Sequence, residues 1–276
     1  MEEFQKQEIC GIQNSTGTYL SFVDADDYLE PDMIMSLYNT MQEKKVDVVR
    51  GNYYIESKNG HRIKGNTYGF SSRVLDKGDI EDKLLPNLLE SKLQCYVWLL
   101  LIPSEKVKQV GEFDKELYLL EDTLFYINLL LKVKSIYILE EPLYNYNVTN
   151  ISSATKSDKY YIRNMNNMLK VNTKIKKALK NLKQINDRCI QIIDTRHLTC
   201  IINYIYLIYK SERNFKKAIQ QFNKISESTE IQEMLKNYNP KIISTKQQIE
   251  NKLVLKKYYK ILKIFYLIKI LLSKIK

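Results

Sequence analysis

One segment limits what this chain can fold into: residues 22–32 run from an apolar strand through a cluster of carboxylates into the start of a helix. Residues 19–23 are rich in aromatic and β-branched side chains, which predicts a buried strand that ends where the acids begin. Open α/β sheets bind ligands at the carboxyl ends of their strands. Asp24 and Asp26 can direct separate oxygens at one small volume, and hard divalent cations prefer oxygen ligands. The segment therefore predicts a site where a cation bridges to the phosphates of a nucleotide.

The same acids have a simpler interpretation as the start of the next helix. Glu30, Pro31 and Asp32 precede residues 33–41, whose pattern predicts a helix. Acidic residues and proline are typical of the cap and first turn of a helix. From these residues alone, both interpretations stay open.

Residues 11–28 resemble the middle of the family 2 glycosyltransferases. The resemblance implies an inverting enzyme of GT-A fold that moves a sugar from a nucleotide-sugar donor, here a UDP-sugar, to a glycan or lipid-linked acceptor in bacterial surface polysaccharide synthesis. It also implies that Asp24 lies near the nucleotide ribose and that Asp26 binds the divalent metal, Mg²⁺ or Mn²⁺. The fold class that follows is α/β, with a partial GT-A-like mixed or parallel sheet flanked by helices and then an all-helical C-terminal region.

A second acidic motif, Glu121 and Asp122, follows residues 111–117 and precedes an apolar helical pattern over residues 124–132. It resembles the Glu-Asp motif of the same family. The resemblance implies that Asp122 is the general base that removes the acceptor's hydroxyl proton, and that Glu121 orients Asp122 or lines the acceptor side. Such a base typically contributes about 10²–10⁴ in rate. The alternative is that both acids only favour the N-terminal turn of the helix through its dipole.

Three further side chains are candidates through the same resemblance. Trp98, the only tryptophan, corresponds to an acceptor-side aromatic on a strand, where its ring could stack on a sugar. Ser152 and Ser153 correspond to a closing segment that could donate hydrogen bonds to the diphosphate. Trp98 also fits the protein core, because large aromatics dominate core burial, and the serine pair also fits an ordinary polar loop. Residues 46–55 and 135–139 predict further strands.

The sequence departs from the family pattern at its start. Family members open with a strand and an Asp-Asp-Gly-Ser type turn that grips the base, and no counterpart precedes Gly11 here. We therefore expect a partial catalytic domain with a long unpaired sheet edge, which is a template for aggregation or pairing. A partner chain could supply the missing strands. The alternative function is a truncated, non-catalytic module that docks on a membrane or on a partner enzyme.

Cysteine, histidine and N-terminal composition exclude several classes of protein. The four cysteines are scattered without a Cys-x-x-Cys pair, and with only two histidines a zinc site is not expected. Sparse, unpaired cysteines fit a reducing, cytoplasmic location. Glu2, Glu3 and Glu8 stand where a signal peptide would be apolar, so no signal peptide is expected. His197, in a helical stretch, fits a partly buried core position.

The sequence changes character after residue 155. Helical periodicity predicts helices over residues 160–182, 187–210 and 214–225, and acidic residues become sparse, so most of the formal charge of +11 is expected there. Such charge could attract nucleic acid or anionic lipid, but no signature of a nucleic-acid-binding module accompanies it. We predict a catalytic domain over residues 1–155, a basic helical region over residues 156–276, and no nucleic-acid partner.

Residues 252–272 combine lysines with aliphatic and aromatic side chains. As one continuous helix, the segment would place Lys252, Lys256, Lys260 and Lys263 on one stripe. Its apolar runs fall short of the ~20 residues that span a bilayer, so we expect it to lie at the inner face of the plasma membrane. The alternative is an amphipathic helix packed on the preceding helices. A third interpretation, a basic helical protein that binds membrane or nucleic acid, would explain this half of the chain alone.

Overall fold

The computed structural model describes residues 2–57, 60–67, 69–91, 94–147, 161–180 and 187–272, without the side chains of residues 2–6 and 161–163. The chain divides into two compact units. Unit 1 comprises Met1–Ser157 and Lys177–Leu182, and unit 2 comprises Asp158–Lys176 and Lys183–Lys276. The predicted division at residues 155 and 156 into a catalytic and a basic part stays a prediction about function.

Unit 1 is built around a mixed sheet of seven strands within its described residues. The strands are β1 (Tyr19–Leu20), β2 (Tyr28–Leu29), β3 (Val48–Glu56), β4 (Arg62–Lys64), β5 (Val74–Asp76), β6 (Leu100–Pro103) and β7 (Ser135–Asn147). The main order is β1-β6-β3-β7-β2, with β4 also paired to β3 and β5 to β7. Only β3 and β7 run parallel among these pairs. The first six residues of β3 are all buried rather than alternating, as expected for a central strand covered on both faces.

Helices flank this sheet. They are α1 (Glu2–Asn14), α2 (Met33–Lys44), α3 (Lys77–Asp79), α4 (Leu85–Leu89), α5 (Ser104–Val110) and α6 (Glu121–Lys132), with a π-turn at Ile80–Leu84 and a 3₁₀ turn at Val97–Leu99. Helix α2 buries Met33, Leu37 and Met41, the four-residue spacing that brings side chains onto one helical face. The predicted helices over residues 33–41 and 124–132 are thus present, each a few residues longer.

The long unpaired sheet edge expected from the sequence is wrong for the described residues. The end strands of the main order, β1 and β2, have two residues each, and short edge strands resist edge-to-edge pairing. The predicted strand over residues 19–23 ends early because Phe22 leaves the sheet and packs its ring edge-on against Phe113 at 5.5 Å and Phe125 at 6.1 Å. Trp98 likewise lies in a 3₁₀ turn rather than in the predicted strand, which begins at Leu100.

Unit 2 is helical. Its helices are α7 (Tyr161–Lys180), α8 (Asp187–Glu212), α9 (Phe215–Ser226), α10 (Thr229–Asn237), α11 (Thr245–Leu255) and α12 (Tyr259–Leu272), with a 3₁₀ turn at Pro240–Ile242. The part of α7 from residue 177 onwards is assigned to unit 1. Helix α8 is buried along most of its length, which marks it as the central helix of the unit. Its Asp194 is fully buried, pairs with Lys176 Nζ at 2.5 Å, and accepts from Asn237 Nδ2 at 2.7 Å. The helices predicted between residues 160 and 225 are confirmed within two residues at each described end.

The single lysine stripe predicted over residues 252–272 is wrong, because the segment is two helices. Lys257 has φ +57 and ends α11. The N–H groups of Lys257 and Tyr258 donate to the carbonyls of Val254 and Leu253 at 2.9 and 2.8 Å, so the turn satisfies carbonyls that a helix end leaves open. Lysines before and after this turn therefore belong to different helices. Among the described residues, no helix is long and apolar enough to cross a membrane.

Candidate active site

The acidic turn that follows β1 is anchored by β7. The Tyr144 hydroxyl donates to Asp27 Oδ2 at 2.8 Å and accepts from the Asp24 backbone N–H at 3.1 Å. The Asn147 backbone N–H donates to Asp27 Oδ1 at 2.8 Å. Asp27 is therefore a structural anchor of the turn that carries Asp24 and Asp26. Of the interpretations that the sequence left open, helix capping has little support, since Asp32 caps α2 without a side-chain hydrogen bond.

An aromatic cluster links this turn to the second acidic motif. Phe22, two residues before Asp24, packs on Phe113 and Phe125, and these two rings stack on each other at 4.5 Å. Phe113 precedes α6 and Phe125 lies within it, so the packing joins the chain before Asp24 to the helix that begins with Glu121. Such aromatic contacts contribute about 0.5–1.5 kcal/mol each beyond burial. The two motifs thus meet through the core of unit 1.

Three carboxylates converge at the start of α6. Glu121 and Asp122 begin the helix, directly after Leu120, whose φ of +65 is uncommon for a residue with a side chain. Glu8 comes from α1. Ligand oxygens of Glu8, Glu121 and Asp122 all lie within 4.8 Å of one another. We refer to these three residues together with Asp24 as the acidic cluster.

Burial and mutual repulsion raise the pKa values in the acidic cluster. Loss of hydration, then the charges of Glu121 and Asp24, raises the pKa of Glu8 to about 7. Loss of hydration, then the charges of its neighbours Asp27 and Asp26 and of Glu121, raises the pKa of Asp24 to about 6. The pKa of Asp122 is raised well above 3.8 by removal from water, with further contributions from Glu121, Glu8 and Asp24. Strongly raised carboxyl pKa values are typical of functional sites.

We expect Glu8→Gln to stabilise the metal-free protein at pH 8 by about 1–2 kcal/mol, after allowance for solvent screening at a partly exposed group. When a carboxyl group has a higher pKa in the folded state than in the unfolded state, the protein loses stability as pH rises from the unfolded-state pKa to the folded-state pKa. For Glu8 this window runs from 4.5 to about 7. At pH 4 the carboxyl is largely protonated in both states, so the substitution should change little there. Urea unfolding in EDTA at both pH values measures the difference.

The control for this prediction is Glu43→Gln, which changes an exposed glutamate on α2. Exposed substitutions usually change stability by less than about 0.5 kcal/mol. Equal stability of Glu8→Gln and the parent protein at pH 8 would show that the acidic cluster is not electrostatically strained.

The turn that carries Asp24 and Asp26 fits a divalent cation chemically. Its donors are carboxylate oxygens, which hard cations such as Mg²⁺ and Mn²⁺ prefer. Burial, then the charges of Asp27, Asp26 and Glu121, raises the pKa of Asp24, and a cation on this turn would relieve that repulsion. Asp26, which the sequence predicts as the metal ligand, lies on the same turn as Asp24 and adds to its raised pKa.

The remaining predicted site residues lie elsewhere. Trp98 is 3% exposed, and its ring stacks on Tyr96 at 4.5 Å and on Tyr144 at 4.1 Å. The ring therefore has little free surface for a sugar, and the core interpretation accounts for its packing. Ser152 and Ser153 lie outside the described residues.

Sequence reasoning did not place Glu8, Asp27 and Tyr144 at the candidate site. Glu8 is distant in sequence from both motifs, and its apolar-face neighbour Ile9 is buried, which was the one local signal that this part of α1 packs against the protein. Asp27 directly follows Asp26 and is also an aspartate, so the sequence gave no reason to assign Asp27 a structural role and Asp26 a ligand role. Tyr144 lies in a strand pattern rich in tyrosine, where no residue stands out.

Comparison with known proteins bears on this geometry. Residues 6–91 match Glycosyl transferase family 2. The match covers less than a third of the chain. The matched stretch includes Glu8, Asp24 and Asp26, so the predicted resemblance to the family 2 glycosyltransferases is confirmed where the first acidic motif lies.

Individual proteins similar to this chain are also glycosyltransferases by name. The uncharacterized glycosyltransferase EpsJ of Bacillus subtilis (strain 168) is 28% identical over 137 residues, which are 49% of this chain and 39% of EpsJ. The glycosyltransferase GlyG of Streptococcus pneumoniae serotype 4 is 45% identical over 58 residues, 21% of this chain and 18% of GlyG. The chain therefore spans well under two thirds of the length of these curated relatives.

Solved structures show the fold of this chain. S. aureus TarS 1–349 in complex with UDP-GlcNAc superposes with a TM-score of 0.58 at 13% identity, over 92% of this chain and 68% of that one. TarS 1–349 alone gives a TM-score of 0.57 over 94% of this chain and 68% of that one, also at 13% identity. The predicted α/β, GT-A-like fold with a mixed sheet and an all-helical C-terminal region is confirmed.

Proposed function

We propose that this chain carries the catalytic part of an inverting, metal-dependent glycosyltransferase. It transfers a sugar from a UDP-sugar to a glycan or lipid-linked acceptor in bacterial surface polysaccharide synthesis, on the cytoplasmic side of the membrane. The observation that carries the proposal is the convergence of Asp24, Glu121 and Asp122, which come from two distant parts of the sequence, in one acidic cluster. The complex of TarS with UDP-GlcNAc supports the choice of a UDP-sugar.

In this proposal Asp122 is the general base. A carboxylate with a raised pKa accepts a proton more readily than an ordinary aspartate, and an effective base has a pKa near the working pH. Asp122 accepts the proton of the acceptor hydroxyl as its oxygen attacks the anomeric carbon, and the bond to UDP breaks on the opposite side, which inverts that carbon. Glu121 lines the acceptor side and keeps the pKa of Asp122 high through its charge.

The donor is held on the turn between β1 and β2. Asp24 contacts the nucleotide ribose, and Asp26 would hold Mg²⁺ or Mn²⁺. The bound cation would neutralise the negative charge on the departing diphosphate. The Tyr144 and Asn147 contacts to Asp27 keep this turn in place before the donor arrives, and such preorganisation lowers the cost of binding. Ser152 and Ser153 are proposed as donors to the diphosphate.

Calorimetric titration of UDP into the full chain with Mn²⁺, with GDP and dTDP as comparison ligands, tests the proposal. We expect UDP binding that requires Mn²⁺ and that Asp26→Ala weakens at least about tenfold, since a lost metal ligand or its support typically costs 10–100-fold in metal affinity. The control is Asp32→Ala, which removes an exposed carboxylate without a side-chain hydrogen bond at the start of α2. Absence of UDP binding in the parent protein would contradict the proposal and favour the non-catalytic alternative.

A further inference from the structure

Helix α12 carries a second apolar face that nothing in the described chain covers. Its first face packs into unit 2 through Leu262, Tyr266 and Ile270, which are 4% exposed or less. The opposite face exposes large aliphatic side chains between 41% and 61%: Ile261, Ile264, Leu267, Ile268, Leu271 and Leu272. An ordinary surface helix is polar on the side away from the core, and clustered exposed apolar residues mark an interaction surface. We refer to these six residues as the aliphatic face.

Lysines lie on the N-terminal side of the aliphatic face. Residues 252–272 contain six lysines and no acidic residue. Lys269 is turned inward, where its Nζ pairs with Glu250 Oε2 at 3.1 Å and lies over the Tyr206 ring at 3.8 Å. The other five lysines are exposed, at positions 252, 256, 257, 260 and 263. The exposed surface of this segment is therefore positive towards the start of α12 and apolar towards its end.

A basic pocket adjoins the N-terminal half of α12. It has a volume of about 790 Å³, and its lining includes Arg213, Lys216, Tyr259 and Lys263. The one acid in its lining, Glu212, is paired with Lys217 at 2.8 Å. The pocket thus presents cations next to the aliphatic face.

We propose that α12 docks unit 2 on an anionic lipid bilayer, with the aliphatic face in the headgroup–acyl boundary and the neighbouring cations on lipid phosphates. Charge decides between a bilayer and a second copy of the chain. A second copy would offer this surface the same lysines and, between residues 252 and 272, no acidic residue to pair with them, so a dimer gains no charge complementarity. An anionic bilayer attracts the same lysines and takes up the aliphatic side chains. The inference does not depend on the proposed transferase activity, because lipid binding is measured without a sugar nucleotide.

Vesicle flotation of the full chain tests this inference. We expect recovery with vesicles of phosphatidylcholine and phosphatidylglycerol, little recovery with phosphatidylcholine alone, and weaker recovery as salt is raised, because salt screens the lysines. Ile264→Ser combined with Ile268→Ser should weaken binding at least about tenfold, since both side chains would otherwise be buried in lipid. Both residues are more than half exposed, so the folded protein should tolerate the change.

The matched control combines Ile63→Ser with Ile249→Ser, which removes two other isoleucines of similar exposure, 64% and 47%. The control should bind vesicles as the parent protein does. Equal recovery of the α12 variant and the parent protein would overturn the inference, as would failure of the parent protein to bind anionic vesicles. A lipid-free dimer that the α12 substitutions convert to a monomer would also overturn it, in favour of a second copy on this face.

Discussion

Asp122→Asn should lower the transfer rate by about 10²–10⁴ while UDP binding stays within about twofold of the parent protein. Asparagine keeps the shape of the side chain but cannot accept the acceptor's proton at neutral pH. The proposed donor contacts of Asp24 and Asp26 lie on a separate turn, so the loss should appear in kcat rather than in donor affinity. Initial rates of UDP release from UDP-GlcNAc with a glycan acceptor, together with UDP titration, separate the two effects.

The pH dependence of the transfer rate of the parent protein gives an independent measure of the same residue. Because the pKa of Asp122 is raised well above 3.8, the deprotonated base becomes available only as pH rises through that higher value, and the rate should rise with it. Asp32→Asn, the same chemical change at an exposed aspartate at the start of α2, should leave rate and pH profile unchanged. A full rate for Asp122→Asn would show that another group takes the proton.

Trp98→Ala should lower the free energy of unfolding by about 3–5 kcal/mol, as expected when a large buried aromatic is truncated. The Trp98 ring stacks on Tyr96 and Tyr144 and meets Tyr53 edge-on at 5.4 Å, so its removal leaves a cavity among rings that cannot all close in. Tyr144 in turn holds Asp24 and Asp27. Urea unfolding followed by circular dichroism measures the loss.

Trp98→Phe, which keeps an aromatic ring at the same place, should cost clearly less than Trp98→Ala. Tyr258→Ala, at a side chain that is 48% exposed, should change stability by less than about 0.5 kcal/mol. If Trp98→Ala kept its stability but lost transfer with an unchanged affinity for UDP, Trp98 would contact the acceptor after all, and its core role would be secondary.

The sequence predicted those features of the fold that depend only on residues close together along the chain. The helices of unit 2 and α2 follow from apolar spacing, and the two acidic motifs follow from carboxylates at the end of an apolar run. The break at Lys257 escaped detection because a left-handed turn is usually signalled by glycine, and lysine gives no such sign. It is specified by packing, since Leu262 and Tyr266 on α12 are fully buried.

The candidate site shows the same division between local and tertiary causes. Asp24, Asp26 and Asp122 could be named from short motifs, but their partners could not. Glu8 reaches the acidic cluster only because the fold brings α1 to the start of α6. Tyr144 reaches the acidic turn because β7 pairs with β2. Contacts of this kind depend on tertiary structure, which no window along the sequence contains.

The stacking of the only tryptophan inside unit 1 also gives the protein a built-in spectroscopic reporter. Trp98 emission follows the packing of unit 1 alone, whereas the long helices of unit 2 contribute strongly to ellipticity at 222 nm. If tryptophan emission and ellipticity report the same midpoint of thermal unfolding, the protein unfolds in a single cooperative transition. Two different midpoints indicate that the two units unfold independently. An unlabelled sample can therefore reveal whether a ligand that binds one unit stabilises the other.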